Sequence, residues 1–160
     1  MHLEKATPAH LDHFATWRAA DRLERLTCRP VEDGKRVAPS SEAVTWAFLV
    51  DGREEPAGVF SCFDTNPRNR SAEFGYSIHP DMRGEGWGRR MLKEALDEVF
   101  ASTRLNKLYC QTASFNAPSV RLLTALGFHL DGTLREHHEL DGVLYDDYIY
   151  SVLRREWVRE

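Results

Sequence analysis

The stretch "SAEFGYSIHPDMRGEGWGRRMLKEALDEVFAS", residues 71–102, decides the fold of this chain. In its first part, apolar side chains alternate with glutamate, glycine and serine, as expected of a strand with one buried face. Residues 89–102 instead place apolar side chains along one stripe of a helix. Between these patterns stand three glycines at every second position: Gly84, Gly86 and Gly88. The stretch therefore predicts a strand, a glycine-rich loop and a helix in direct succession.

The glycine-rich loop has the properties of an anion site. A turn that enters a helix presents unpaired backbone N–H groups and the positive end of the helix dipole, and missing Cβ atoms let a phosphate approach closely. The glycines alone leave a simple turn open as the alternative. The dinucleotide fingerprint GxGxxG fails because Arg89 stands at its third glycine, and no P-loop GxxxxGK[ST] segment occurs in the sequence.

The rest of the chain predicts further strands around this unit. Strands are expected at residues 1–6, 43–50, 56–63 and 106–113, and two long strands around a turn within residues 129–157. A polar loop is expected at residues 64–70. The element order is roughly β-α-α-β-β-β-α-β-α-β-β. This order predicts an α+β fold with one mixed sheet.

Two further helices carry clear end signals. Thr7 is a candidate N-cap and Pro8 suits the first helical position. Later in the chain, Asn116 is a candidate N-cap and Gly127 marks the stop of a second helix. The pattern is weak within residues 21–41, where we expect an irregular helix and a loop.

The bulk composition predicts a single domain, residues 1–160, with 42% apolar and 29% charged residues. No run approaches the roughly 18 apolar residues of a membrane helix, and the start "MHLEKATPAH" lacks the apolar segment of a secretory signal. The net charge of -4 disfavours a general nucleic-acid binder. Three scattered cysteines without a CxxC pair predict reduced thiols rather than a zinc site: Cys28, Cys62 and Cys110. We therefore expect a cytoplasmic protein without a membrane, nucleic-acid or metal partner.

Several motifs together resemble one known family. Residues 83–88 match [Q/R]xxGx[G/A] and resemble the acetyl-CoA pyrophosphate loop of the GNAT N-acetyltransferase superfamily. The stretch "NAPSVRLLTALGF" resembles that family's Asn-capped helix that ends in Gly-Phe. The segments "GTLRE" and "DGVLYDDYIYSVLRREW" are similar to the C-terminal hairpin of the RimJ/RimL-like branch, which acetylates ribosomal-protein N-termini. The resemblance covers roughly residues 44–157 and implies the GNAT fold, a mostly antiparallel central sheet flanked by helices.

The resemblance also implies where acetyl-CoA would bind. The backbone amides of the loop would hold the diphosphate, and the residues concerned are Arg83, Gly84, Glu85, Gly86, Trp87, Gly88 and Arg89. A backbone N–H near Ile78 is the expected donor to the oxyanion. Asn116 and Ser119 match family positions that face the pantetheine and its sulfur. Residues 21–41 match nothing in the family pattern and should help form the acceptor site.

Transfer of an acetyl group from a thioester to an amine needs an acid for the thiolate that leaves. Ser119 is the candidate, because the RimL-like branch carries a serine at this position. The alternative is that Ser119 only satisfies the local backbone of its helical turn. Many family members use a tyrosine where this chain has Leu123, which cannot act as an acid.

The amine must lose a proton before it attacks, and two residues are candidates for the base. The family often has a glutamate at the position of Glu73, where apolar enclosure could raise its pKa. The RimL-like branch places a glutamate where this chain has His138, and histidine is a competent base near neutral pH. Strand alternation predicts that Glu136 shares a face with His138. The adjacent His137 and His138 have no third ligand at the spacing of a metal site. The alternative to a catalytic His138 is that the two histidines are an ordinary surface pair.

These observations predict an acetyl-CoA-dependent N-acetyltransferase that transfers directly to a primary amine. The acceptor is a protein N-terminus, by branch resemblance, or a small amine. The alternative is a catalytically degenerate acyl-CoA-binding regulatory module. A homodimer is expected only by analogy with the branch.

Overall fold

The structure, a computed structural model, describes residues 1–19, 22, 25, 27–33, 35–36 and 43–158. An irregular helix and a loop are predicted within residues 21–41, and of this segment residues 21, 23–24, 26, 34 and 37–41 lie outside the described residues. The described part of that segment contains a short antiparallel pair, β2 (Val31–Glu32) with β3 (Lys35–Arg36), that the sequence pattern did not predict.

The other strands form one seven-stranded sheet in the order β1-β4-β5-β6-β7-β9-β8. They are β1 (His2–Lys5), β4 (Val44–Leu49), β5 (Gly58–Asn66), β6 (Ser71–Ile78), β7 (Lys107–Ala113), β8 (His129–Leu140) and β9 (Val143–Leu153). The helices are α1 (Pro8–Ala19), α2 (Trp87–Ser102), α3 (Ala117–Ala125) and the short α4 (Arg154–Trp157). All strand pairs of this sheet are antiparallel except β6 with β7. The predicted α+β fold with a mostly antiparallel sheet is confirmed.

The parallel pair β6–β7 joins the two halves of the sheet and is short. Its register runs only from Ser71 opposite Lys107 to Glu73 opposite Tyr109. Beyond Glu73, β6 stays paired with β5 as far as Ile78, whereas β7 stays paired with β9. The two strands therefore diverge, and a wedge opens between their carboxyl ends.

Helix α2 supplies the largest apolar contribution to the core. Six of its side chains are at most 1% exposed: Met91, Leu92, Ala95, Leu96, Val99 and Phe100. Five of them pack in one cluster with Phe60 and Phe74 of the sheet, and Met91 packs in a second cluster with Phe48. Burial of this much apolar surface, at about 25 cal/mol per Å², fixes α2 across the sheet and fixes the loop before it at the wedge. None of the helices in the described residues has the length and apolarity needed to cross a membrane.

Most predicted elements are confirmed, with small shifts at their ends. Thr7 Oγ1 accepts a hydrogen bond from the His10 N–H at 3.3 Å, as expected of an N-cap. Gly127 adopts φ 83° after α3, as expected of a helix stop. The polar loop predicted at residues 64–70 is partly wrong. β5 continues to Asn66, and Asp64 takes a positive φ (49°) at the irregularity between Phe63 and Asn66.

The predicted alternation of β8 is wrong near its end. The register with β9 shifts between Leu134 and His138, and Glu136 has φ 50° at this bulge. Glu136 is exposed, whereas His138 is buried. A bulge inserts extra residues and so breaks the period of two on which the prediction rested.

Gly58 gives a test of the packing between α2 and the sheet. A Cβ at Gly58 would lie 2.9 Å from the Ser77 carbonyl oxygen and 2.6 Å from Met91 Sδ. We expect Gly58→Ala to lower the free energy of unfolding by about 1–3 kcal/mol, the usual cost of overpacking, measured by urea denaturation. Gly132→Ala is the control, because a Cβ there meets nothing within 4 Å. Equal stability of the two variants would contradict the close contact.

Candidate functional site

The wedge between β6 and β7 opens into a cleft of about 760 Å³. Its lining includes side chains from both faces of the sheet. We call the face covered by α2 and α3, which carries Phe74 and Tyr76, the helix face, and the other, which carries Glu73, the opposite face. Because the cleft reaches both faces, two reactants can approach the same point from opposite sides of the sheet.

The glycine-rich loop lies at the mouth of this cleft. Gly84 and Gly86 both have φ 83°, and a Cβ at either would meet nothing within 4 Å. The first backbone hydrogen bond into α2 that the described chain contains runs from the Arg90 N–H to the Gly86 carbonyl, at 3.3 Å. The amides just before Arg90 are therefore the unpaired N–H groups of a helix start. This cradle fits an anionic diphosphate.

The third glycine has a packing function instead. A Cβ at Gly88 would lie 3.2 Å from Leu122 Cδ2 and 3.5 Å from Ile78 Cγ1. The absence of a side chain at Gly88 therefore lets the start of α2 approach β6 and α3 closely. Only the first two glycines present open space to a ligand.

The side chains of Glu85 and Trp87 do not line the cleft. The Trp87 indole N–H donates to Glu85 Oε2 at 3.2 Å. The Arg90 guanidinium lies over the Trp87 ring, 5.0 Å from its centroid. Glu85 and Trp87 can therefore meet a ligand in the cleft only through their backbone amides.

The backbone of Ile78 points into the wedge. The next residue, His79, donates its N–H to the Ala57 carbonyl at 2.9 Å, on the side of β5. Because successive residues of a strand direct their backbone groups to opposite sides, the Ile78 N–H faces away from β5. The Ile78 carbonyl accepts a hydrogen bond from Arg83 Nε at 3.1 Å, which agrees with this orientation. A hydrogen-bond donor is thus present inside the cleft.

Ser119 lies on the helix face, where its hydroxyl meets that of Tyr76 at 2.6 Å. Its backbone N–H donates to Asn116 Oδ1 at 3.4 Å, so Asn116 caps α3 as predicted. The Ser119 side chain thus bonds a residue of another element rather than its own turn. Leu123, at the position of the family tyrosine, is fully buried in the core.

Tyr76 is a site residue that the sequence pattern assigned only to the buried face of β6. Burial raises the pKa of its phenol, and the hydrogen bond with Ser119 lowers it only in part. The phenol therefore keeps its proton at neutral pH and can donate it to the Ser119 oxygen. No local sequence pattern indicates this pair, because its members are 43 residues apart.

Glu73 lies on the opposite face, beside Arg29 and Asp64. Arg29 Nη1 is 3.2 Å from Asp64 Oδ2 and 4.0 Å from Glu73 Oε2. Burial raises the pKa of the Glu73 carboxyl, Arg29 opposes this shift, and Asp64 adds to it. Glu73 is therefore a carboxylate that binds a proton more readily than an exposed glutamate does. Sequence reasoning missed Arg29, which comes from the weakly patterned segment.

His138 also lines the cleft, and it is buried rather than part of a surface pair. His138 Nδ1 lies 3.2 Å from Asp147 Oδ1, and Asp147 Oδ2 accepts a hydrogen bond from Gln111 Nε2 at 2.7 Å. The edge of the Phe115 ring packs against the imidazole, with centroids 4.9 Å apart. The ring orientation of His138 is therefore fixed by Asp147 and Phe115.

Cys28 completes a cluster with these two residues. One ligand atom from each of Cys28, His138 and Asp147 lies within 4.8 Å of the other two. Burial raises the pKa of the Cys28 thiol, and Asp147 adds to the effect. The linear sequence suggested no third ligand near the histidines, but the fold brings in Cys28 from the far end of the chain.

The cleft thus brings together most of the residues predicted from the sequence. Those that line it are Glu73, Ile78, Arg83, Gly84, Gly86, Gly88, Arg89, Asn116, Ser119 and His138. Missed by sequence reasoning were Tyr76, Cys28, Arg29 and Asp147. Tyr76, Cys28 and Arg29 contact partners that are distant in sequence, and Asp147 meets His138 only because the hairpin folds back on itself. Local spacing therefore indicates none of them.

Comparison with known proteins identifies relatives of this fold and sequence. The chain is 32% identical over 126 residues to the spermidine N(1)-acetyltransferase of Vibrio cholerae, covering 79% of this chain and 68% of that protein. It is 29% identical over 116 residues to an uncharacterised N-acetyltransferase of Bacillus licheniformis, covering 72% of this chain and 65% of that protein. The chain thus spans about two thirds of the length of these relatives.

A solved structure shows the same fold. The spermidine N-acetyltransferase of Vibrio cholerae, solved in complex with CoA and spermine, superposes with a TM-score of 0.80 and 20% identity, covering 97% of this chain and 96% of that one. The model of the acetyltransferase (GNAT) domain matches residues 1–129. That match includes the wedge-forming strands, the glycine-rich loop and α3, and it establishes that this chain belongs to the GNAT acetyltransferase family.

Proposed function

We propose that this chain is an acetyl-CoA-dependent N-acetyltransferase that transfers the acetyl group directly to a primary amine. The observation that carries the proposal is the arrangement of one cleft. An anion cradle lies at its mouth, a hydroxyl pair on one face and a raised-pKa carboxylate on the other. In this proposal residues 1–160 act as one catalytic domain, and the homodimer expected by analogy stays a prediction.

The loop residues would hold the diphosphate of acetyl-CoA, whose thioester supplies the acetyl group. The amides of residues 84–89 contribute hydrogen-bond donors, and the helix start adds its positive dipole end. Arg83 and Arg89 line the cleft beside the cradle and add positive charge. Asn116 and Ser119 would face the pantetheine arm.

Ser119 is proposed as the acid that protonates the leaving thiolate. A serine hydroxyl is a weak acid by itself, so the proton must be replaced as it leaves. Tyr76 supplies it through the 2.6 Å hydrogen bond. The phenol then regains a proton from solvent, and its raised pKa favours this return to the protonated form. The Ile78 N–H donates to the oxyanion of the tetrahedral intermediate.

Glu73 is proposed as the base that removes a proton from the ammonium form of the amine, through a water molecule. Its raised pKa brings it closer to the range of an efficient base. His138, held by Asp147, is the second candidate for this step. Because the acid and the base lie on opposite faces, the amine would enter from the opposite face while acetyl-CoA stays on the helix face.

The acceptor is proposed to be a small amine. The support is the similarity to the spermidine N(1)-acetyltransferase of Vibrio cholerae. A panel of small amines and of peptides with free N-termini, assayed by release of the CoA thiol, separates the two acceptor classes. Turnover with peptides alone would replace the small amine by a protein N-terminus. Binding of acetyl-CoA without turnover of any amine would favour the regulatory module.

The cofactor cradle is tested by Gly86→Asp. A carboxylate at this open position would repel a diphosphate, and aspartate tolerates the left-handed conformation. We expect the Kd of CoA to rise by about tenfold or more, a loss of roughly 1.4 kcal/mol, measured by calorimetry. Gly52→Asp is the matched control, because Gly52 has φ 82°, equally open surroundings and no place in the cleft. An unchanged Kd in Gly86→Asp would refute the cradle.

The hydroxyl pair is tested by Ser119→Ala and Tyr76→Phe. We expect Ser119→Ala to lower kcat by about 10²-fold with little change in the KM of acetyl-CoA, since loss of an acid affects the chemical step. Tyr76→Phe should have a smaller effect. The double variant should be no slower than Ser119→Ala, because both residues serve one proton path. Additive losses would show that Tyr76 acts independently of Ser119.

The base is tested by the pH dependence of kcat/KM. If Glu73 must be ionised, activity falls as the pH falls through its pKa, which burial raises from its ordinary value. We expect Glu73→Gln to remove this acidic limb and lower kcat/KM by about 10²-fold, and His138→Gln to retain the limb. The reverse result would assign the base to His138.

A further inference from the structure

We propose that Cys28, His138 and Asp147 form a binding site for Zn²⁺ or a chemically similar divalent cation, on the opposite face of the cleft. The proposal goes beyond acetyl transfer, and metal binding can be measured without turnover. The linear sequence shows no zinc motif, because Cys28 is far in sequence from the hairpin strands that carry His138 and Asp147.

The donor set has the chemistry of a transition-metal site. A thiolate, an imidazole and a carboxylate are the three side-chain ligand types that Zn²⁺ takes in proteins. Magnesium and calcium prefer sets made only of oxygen atoms. The cluster therefore selects for zinc and its neighbours in ligand preference rather than for hard cations.

The distances fit a tetrahedral ion after a small adjustment. Zinc lies about 2.0–2.3 Å from its N, O and S ligands, so two tetrahedral ligand atoms are about 3.5 Å apart. His138 Nδ1 and Asp147 Oδ1 are already 3.2 Å apart. No pair in the cluster exceeds 4.8 Å, so the most distant pair has to close by at most about 1.3 Å.

The surroundings hold two of the ligands in place. Asp147 is fully buried and His138 is 7% exposed. Gln111 donates to the other oxygen of the Asp147 carboxylate at 2.7 Å. Such hydrogen bonds to ligands orient them and sustain metal affinity. The carboxylate oxygen facing His138 is thereby directed towards the proposed ion.

The fourth position would open into the cleft. Cys28 and His138 both line it, so a water molecule could complete the tetrahedron. Three protein ligands with one open position is the pattern of an accessible zinc site rather than a closed structural one. When the ion binds, the Cys28 thiol releases its proton to solvent and the thiolate becomes a ligand.

Metal occupancy would also inhibit the proposed acetyl transfer, and this consequence rests on the proposed function. The ion would occupy the part of the cleft from which the amine approaches and would engage His138. We therefore expect inhibition that rising amine concentration relieves, because amine and metal compete for one space.

The test uses the full chain, stripped of metal with a chelator. Zn²⁺ is titrated in competition with a chromophoric chelator, and Co²⁺ is added separately to record its absorption spectrum. We expect one equivalent of metal, with a near-ultraviolet thiolate-to-cobalt band. Cys28→Ser should weaken binding by at least about tenfold and remove the band. Cys62→Ala is the control, because this buried core thiol lies outside the cluster, and it should leave both unchanged.

A second measurement avoids dependence on folding of the variant. In the wild-type chain, Zn²⁺ should slow alkylation of Cys28 by iodoacetamide, followed site by site by mass spectrometry, while Mg²⁺ should not. No stoichiometric metal binding, or equal binding by wild type and Cys28→Ser, would overturn the site. If metal binds as expected but no amine is acetylated, the metal site stands and the proposed function fails.

Discussion

The separation of β6 from β7 beyond Glu73 is the constraint on which the site depends. If the two parallel strands stayed paired, their facing backbone N–H and C=O groups would hydrogen-bond to each other. Here the facing groups of the last residues of β6 have no strand partner, so other groups must satisfy them. Arg83 does so for the Ile78 carbonyl. The Ile78 N–H is left directed into the cleft, where a donor is available to a ligand without any rearrangement of the sheet.

Close packing around the wedge keeps it open and positions the loop. Gly58 lets Met91 of α2 approach β5, and Gly88 lets the start of α2 approach Ile78 and Leu122. These contacts place the helix start, with its unpaired amides, at the cleft mouth. The three glycines of the loop therefore serve two purposes. Gly88 permits the packing that sets the position, and Gly84 with Gly86 leaves the space in front of the amides open.

Features set by local chemistry could be predicted from the sequence. The Asn116 cap, the stop at Gly127 and the alternation of β6 each depend on a few neighbouring residues, and each is present in the structure. The bulge at Glu136 could not be predicted, because a positive φ at a glutamate has no sequence signature. Strand alternation would place Glu136 and His138 on one face, but because of the bulge His138 is buried and Glu136 is exposed.

The contacts that give the cleft its chemistry join residues that are not neighbours in sequence. For this reason single site residues could be predicted, whereas their contacts could not. The position of Ser119 in its helix was enough to predict it as a site residue. Its partner Tyr76 belongs to β6, where the strand pattern indicated only a buried core residue. Asp147 lies in the C-terminal hairpin, and only the fold shows that its carboxylate contacts His138. Individual residues could thus be nominated from the sequence, whereas the pairings that give them a reactive environment required the three-dimensional structure.

The division of the cleft between two faces bears on whether the acetyl group passes through an enzyme thiol. Two cysteines line the cleft, Cys28 and Cys110, and burial raises the pKa of both thiols. A thiol that keeps its proton is a poor nucleophile, so neither cysteine is suited to accept the acetyl group. The proposed acid and base lie on opposite sides of the same opening. Both reactants can then be bound at once, and the amine can attack the thioester directly.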